Sequence, residues 1–176
     1  MPELIDPTAR LAPSFTEALR EFTAEDPDVA HSWTGMVIDR FQRAGPDWVA
    51  AYVEAELGWR TVPPAGFVPV TTLWWADGET YLGRISIRHF LNDALIEIGG
   101  HIGYDVRPSA RRRGHSTAML AAALPRAAAL GIDKALITCD ESNIASRKVI
   151  ERNGGVLEDR RGTTLRFWAP TAPAQD

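Results

Sequence analysis

Arg111, Arg112 and Arg113 stand in a row before Gly114, His115, Ser116 and Thr117, after an apolar alternating stretch ending at Val106 and at the start of an alanine-rich one. A strand, a tight basic turn and a helix start in that order bring several backbone N–H groups together just ahead of the helix. Unpaired amides and the positive end of the helix dipole attract anions there, and Gly114 has no Cβ to hold a pyrophosphate away from the main chain. Guanidinium forks match phosphate oxygens, so the turn suits a ligand with a pyrophosphate and one further phosphate. Without Gly114 and its strand-turn-helix setting, the same arginines would read as a solvated surface.

Groups able to move a proton are sparser. Glu97, His101 and Tyr104 lie in or beside the strand that leads to the turn, and each is a residue type that serves general acid–base catalysis. Histidines such as His101 and His89 are more often structural than catalytic, and His101 and Tyr104 have opposite parity, so a regular strand turns one of them toward a given cleft. Asn143 and Ser146 open a later helix, where both types are also favoured as plain caps. Cys139 falls in an apolar run and reads as packing. As the sole cysteine it has no internal disulfide partner, and nothing at metal-ligand spacing surrounds it, so no metal is expected.

The elements that must position these residues can be read from periodicity. Ser14 can cap a helix containing Phe15, Leu19 and Phe22, and Pro46 opens a second with Trp48, Val49, Tyr52 and Leu57. Residues Val68 to Trp75, the turn Asp77-Gly78 and Tyr81 to Arg88 form a hairpin signal, with Trp74 and Trp75 directed to opposite faces. A strand from His101 to Val106 ends at Pro108, and a helix from Ser116 to Leu130 is closed by Gly131, with Pro125 expected to kink or split it. Ala135 to Cys139 suits a buried strand, a helix capped by Asn143 or Ser142 runs to Asn153-Gly154-Gly155, and Thr163 to Trp168 makes a last strand. The order predicts a mixed α/β layer with one parallel crossover in the middle.

At 176 residues and 45% hydrophobic composition, with six Trp and six Phe, the chain is expected to be a single domain with an ordinary core. It divides into a helical part over 1–66, a sheet carrying the motifs over 67–168 and a tail over 169–176, rich in Pro and Ala, that reads as disordered. Apolar runs fall short of a bilayer span and the N-terminus lacks a signal pattern, which points to a cytoplasmic protein without a membrane partner. A net charge of −4 argues against general nucleic-acid affinity. Arg107 joins the arginine row as a local basic cluster, so a small polyanion remains a ligand despite the acidic total. The sequence is compatible with a monomer or a homodimer.

The run V-R-P-S-A-R-R-R-G-H-S resembles the cofactor motif R/Q-x-x-G-x-G/A of the GNAT superfamily of acetyl-CoA-dependent N-acyltransferases, with Arg111 in its first place, Gly114 in its fourth and Ser116 in its sixth, where the family prefers Gly or Ala. The later N-I-A-S-R-K-V-I-E-R-N-G-G is similar to the family's N-x-x-A/S helix, matched by Asn143 and Ser146. The resemblance covers roughly Val68 to Trp168 and looks closest to a bacterial branch of the superfamily. It implies a mostly antiparallel sheet with a central parallel crossover, flanked by helices on both faces, and acetyl-CoA as cosubstrate. By the resemblance the cosubstrate is held by Val106, Arg111, Arg112, Arg113, Gly114, His115, Ser116, Thr117, Asn143 and Ser146. It also implies direct attack of an amine, on a small molecule or a peptide, with a strand amide near Val106 holding the thioester oxygen. Glu97, His101 and Tyr104 stand as alternatives for the proton transfers. Many members place a proton-donating tyrosine where this chain has Ile150, so water, Ser142 or Tyr104 would substitute. A non-catalytic acyl-CoA-binding module of the same fold is the alternative, and a different nucleotide-binding α/β protein is disfavoured because neither G-x-x-x-x-G-K-[ST] nor G-x-G-x-x-G occurs.

Overall fold

The hairpin signalled by Asp77-Gly78 is present in the computed structural model, which describes residues 1–25, 37 and 47–172: β2 spans Val70–Asp77, β3 spans Thr80–Arg88, and Gly78 turns between them at φ +59. Ahead of it lie β1 (Glu3–Ile5), α1 (Ala12–Glu25) and α2 (Trp48–Gly58). After it come α3 (Asp93–Glu97), β4 (Ile102–Val106), α4 (His115–Ala129), β5 (Lys134–Asp140), α5 (Ile144–Arg152), β6 (Val156–Arg161) and β7 (Thr164–Pro170). The described strands form one sheet in the order β1-β2-β3-β4-β5-β7-β6, antiparallel except for β4 beside β5.

The elements that periodicity did not predict are short or charged. β1 has three residues, α3 has five and is capped by Asn92, whose side chain accepts from the Leu95 amide at 2.9 Å, and β6 is a largely exposed edge strand whose sequence, VLEDRR, offers no apolar alternation. One local expectation gives way to tertiary bonds. Ser14 lies inside α1 rather than at its cap, and its hydroxyl accepts from the Tyr81 amide at 3.0 Å and from Arg107 Nη1 at 3.2 Å. Pro125 sits within α4, which is assigned as one helix from His115 to Ala129. Pro46 lies outside the described residues. The sheet continues through Pro170, and the Thr171 hydroxyl donates to the Ile132 and Asp133 carbonyls at 2.5 and 2.8 Å, so the chain is still fastened where its composition suggests a tail.

A core lies on each face of the sheet. On one, Trp75, Ile85, Ile87 and Ile102 pack beneath Met119, Leu120 and Ala123 of α4 and Ile150 of α5. On the other, Trp74 and Tyr81 meet Phe15 of α1 and Tyr52 of α2, with ring centroids 4.6 Å apart for Phe15 and Trp74 and 5.2 Å for Trp74 and Tyr81. The two adjacent tryptophans thus face opposite cores, as strand geometry requires. Burying an aromatic or branched side chain of this kind stabilises the fold by roughly 1.5–3 kcal/mol, which clamps α1 and α2 to the hairpin.

The parallel pair β4–β5 is joined at a single register point, Ile102 with Ile137. Just before it, the His101 amide donates to the Leu136 carbonyl at 2.7 Å, while the Leu136 amide donates to His101 Nδ1 at 2.9 Å. Arg88 N to His101 O (2.8 Å) and Arg107 N to Leu82 O (2.9 Å) tie alternate residues of β4 to β3. Tyr104 and Val106, of the opposite parity, therefore turn their amides toward β5. Beyond Ile102 the two strands no longer pair, and those amides look into a fork. Gly100 makes the hinge possible: its φ is +59, and a Cβ there would run into the Leu136 carbonyl. Gly100→Ala is expected to destabilise the protein by about 2 kcal/mol, measured by urea unfolding, through the backbone conformation and the clash together.

Candidate functional site

Gly114, at φ +82, is the N-cap of α4 and accepts that helix's first backbone bond from the Ala118 amide at 3.1 Å. The amides of His115, Ser116 and Thr117 precede the helical ladder, and no side chain caps them at Gly114. A Cβ on Gly114 would meet no described atom within 4 Å, so the amides open onto free space. Arg112 is left-handed too, at φ 63, the one non-glycine residue with positive φ among those described. Such a conformation stores on the order of 1–3 kcal/mol and is typical of ligand clamps. Two left-handed residues flanking Arg113 fold the main chain into a concave turn at the positive end of a fifteen-residue helix, a cradle that fits a pyrophosphate.

The structure separates the basic cluster into two pairs. Arg112 and Arg113 are exposed beside the cradle. Arg107 is buried: it holds Glu21 of α1 through a short ion pair and a second bond at 3.1 Å, and donates to the Tyr81 carbonyl at 3.3 Å. Burial raises the Glu21 carboxyl, but bonds from Arg107 and Ser109 outweigh it and leave the group below its ordinary value. Arg111 donates from Nε to the Val106 carbonyl at 3.1 Å and from Nη1 to Glu25 at 2.6 Å, and lies over the Phe22 ring. Its guanidinium braces the turn from behind, against α1. His115 is fixed by Trp75, whose indole N–H donates to Nδ1 at 3.2 Å.

Across the fork, the Tyr104 hydroxyl and Ser146 Oγ are 2.8 Å apart, joining β4 to the first turn of α5. Burial foremost pushes the Tyr104 phenol up to about 12, against a lowering by its bond to Ser146, so it stays protonated at neutral pH. Asn143 caps α5, its side chain accepting from the Ser146 amide at 3.0 Å. Ser142 is engaged with Asp140, at 2.6 Å from its hydroxyl. Ile150 is fully buried, and a Cβ on Gly155 would strike it, so that position faces the core. Cys139 is buried, and desolvation raises its thiol.

The three proton-transfer candidates do not converge. Tyr104 stands in the fork, on the face toward α4 and α5. His101 sits at the fork's base on the opposite face, near Trp168, with Nδ1 committed to the Leu136 amide; burial, then Arg88, lowers its pKa and keeps it neutral. Glu97 ends α3, 59% exposed, in an ion pair with Arg161.

A polar network on His101's face of the sheet escaped the sequence reading. Arg84, 6% exposed, donates to Asp105 at 3.0 Å and to Ser86 at 2.7 Å, while Arg88 donates to the Gly99 and Gly100 carbonyls, each at 3.1 Å. Burial raises the Asp105 carboxyl, with Arg84 opposing. Arg84, Ser86 and Arg88 alternate with Ile85 and Ile87, a pattern that reads as a strand with one face in water, yet that face is covered by α2, α3 and the connection after α2. These residues border a cavity of about 300 Å³ reaching Gly103 of β4.

Residues 17–156 match the acetyltransferase (GNAT) domain family. No curated protein sequence matches the chain. Among solved structures, the microcin C7 self-immunity acetyltransferase MccE, in complex with acetyl-CoA and AMP, is 13% identical over 96% of this chain and 92% of that one, with a TM-score of 0.66. RimL, a ribosomal L7/L12 alpha-N-protein acetyltransferase in complex with coenzyme A, is 16% identical over 96% and 93%, with a TM-score of 0.66. PseH of Campylobacter jejuni, in complex with acetyl coenzyme A, is 10% identical over 98% and 100%, with a TM-score of 0.57. At these identities the likeness is one of fold.

Proposed function

Because the chain belongs to the acetyltransferase (GNAT) domain family, we propose that it transfers an acetyl group from acetyl-CoA to a primary amine of a small molecule or peptide, by direct attack while both substrates are bound. The observation that carries this reading is the cradle at Gly114 lying at the end of the strand that forks from β5. One feature suits the diphosphate of the cosubstrate and the other leaves strand amides for the thioester oxygen. That neighbours of the same fold were solved with acetyl-CoA, and that RimL is named for an alpha-amino acceptor, supports it.

Placement is the first contribution. Holding amine and thioester together removes an entropic barrier of roughly 7–11 kcal/mol. The nitrogen lone pair forms the C–N bond, the C–S bond breaks, and the sulfur takes a proton. Of the two protons an ammonium sheds, one thereby balances the sulfur and the other leaves to solvent. Tyr104, protonated and bonded to Ser146, is the donor best placed in the fork, which answers the absence of a tyrosine at Ile150.

The test is calorimetric binding of acetyl-CoA together with release of free thiol over a panel of primary amines. The expected result is binding, with thiol release dependent on at least one amine. Binding without turnover of any amine would leave a non-catalytic acyl-CoA-binding module, and no affinity for acetyl-CoA or CoA would overturn the reading.

A further inference from the structure

The phosphate cradle is fixed at one end by α4 and at the other by the short turn Pro108–Ala110 that leads into it, while Arg112 and Arg113 in between are exposed. A strained main chain with solvent on its outer side keeps its shape only as far as its two ends hold it. The α4 end is anchored by Met119 and Leu120 in the core. The turn end is held by Ala110, which is 3% exposed, and by bonds to a distant part of the chain.

Those bonds converge on Glu21 of α1. Pro108 carries no N–H and the Ser109 amide has no acceptor within the turn; it donates to Glu21 Oε2 at 3.0 Å, and the Ser109 hydroxyl donates to Oε1 at 2.9 Å. Arg107 donates to the same Oε1 from Nε at 3.1 Å and from Nη2 in the short ion pair. One carboxylate thus accepts four bonds from the residues on either side of Pro108. Glu25, one helical turn further along α1, takes Arg111 at 2.6 Å, and Phe22 lies under that guanidinium. The helix itself is held to the hairpin through Phe15, Ala18 and Leu19. Only Ala110 and Arg111 stand between Ser109 and Arg112, where the left-handed backbone begins, so a displacement of the turn is passed to the cradle.

We propose that Glu21 is a positioning residue for acetyl-CoA: from a helix outside the phosphate motif it holds the turn before the cradle, and so sets how firmly the diphosphate is bound. It acts through the main chain rather than on the ligand. The identity of the ligand rests on the acyl-transfer reading above, whereas the positioning of the cradle does not. A ligand binds only the fraction of molecules whose cradle is formed, and the apparent affinity falls in proportion to that fraction. Neutralising Glu21 also leaves the buried Arg107 guanidinium with Glu17, 66% exposed, as its remaining carboxylate.

The experiment titrates acetyl-CoA calorimetrically into the whole chain and into Glu21→Gln, Ser109→Ala and Val53→Ala, and records for each the Gly114 amide resonance and a thermal melt. Val53 is a buried residue of α2 in the core that α1 and α2 share, so its truncation lowers stability without removing a bond to the turn. Glu21→Gln is expected to weaken acetyl-CoA by roughly tenfold and Ser109→Ala by about two- to threefold, each with a shifted Gly114 amide. Val53→Ala should lower the melt at least as far and leave the affinity within about twofold, which separates placement of the cradle from stability at large. Affinity unchanged in both Glu21→Gln and Ser109→Ala, or weakened as much in Val53→Ala as in Glu21→Gln, would overturn the proposal. Should Glu21→Gln unfold, Ser109→Ala decides, because Ser109 is exposed and its truncation removes a single bond to Glu21; an unmoved Gly114 amide with unchanged affinity then overturns the proposal. No binding of acetyl-CoA by the unaltered chain would instead overturn the acyl-transfer reading, with the Gly114 amide still reporting whether Glu21 holds the cradle.

Discussion

Gly114→Val is expected to weaken acetyl-CoA binding by roughly a hundredfold while the protein remains folded, read by calorimetry beside a thermal melt. Two effects act together. Gly114 holds φ +82, which a β-branched residue adopts only under strain, and relief of that strain would swing the amides of His115, Ser116 and Thr117 out of their common direction. The open space over Gly114 is where a pyrophosphate would stand, so the valine methyls would occupy the ligand's own volume. Because no described atom lies within 4 Å of that position, the fold itself suffers only the backbone term, about 1–2 kcal/mol, and the melt should shift modestly. A large loss of affinity with a small loss of stability separates a cradle from an ordinary structural glycine. Equal affinity in the variant would show that the diphosphate is held elsewhere.

The cradle was legible in the sequence because everything that makes it is local. Gly114, the arginine row and the helix start occupy adjacent positions, and Asn143 caps α5 for the reason its residue type predicts. The hairpin and the opposed tryptophans follow from alternation in the same way. Charge density along the chain is also local and groups Arg107 and Arg111 with Arg112 and Arg113, whereas Glu21 and Glu25, which bond the first two, are each 86 residues away. The fork shows the same limit. His101 looks like a proton carrier by type, but its Nδ1 is spent on a backbone amide 35 residues on, and the pairing that leaves Tyr104 free depends on Gly100 passing close to Leu136. Alternation along β3 sets Arg84, Ser86 and Arg88 on one face. It could not say that α2, α3 and the connection after α2 cover that face.

Tyr104→Phe is expected to lower kcat by about a hundredfold with little change in acetyl-CoA affinity, because the ring that packs in the fork is kept and only the proton donor is lost. The low end of the range for general acid catalysis applies, since the Ser146 hydroxyl, 2.8 Å from the phenol that is lost, remains in the fork. Ser146→Ala should fall by a similar or smaller factor, and the double variant by less than the product of the two, as befits hydroxyls acting as one unit. The pH dependence provides a readout that a merely structural tyrosine would share only in part. With the phenol raised from 10.0 to about 12, the donor form persists through the neutral and mildly alkaline range, so Tyr104 contributes no falling limb to the rate profile below pH 10. For stability the sign is fixed by which state loses its proton first. Below pH 10 the phenol is neutral folded and unfolded; between 10 and about 12 the unfolded chain ionises while the folded one does not, so stability falls as pH rises through that window. The complete loss is on the order of 2–3 kcal/mol. Tyr52 and Tyr81, also pushed well above 10 by burial, are present in both proteins, so the difference between unaltered protein and Tyr104→Phe isolates the one phenol. A variant that keeps both its rate and the same alkaline loss of stability would place the proton donor elsewhere, and would return the fork to the non-catalytic reading.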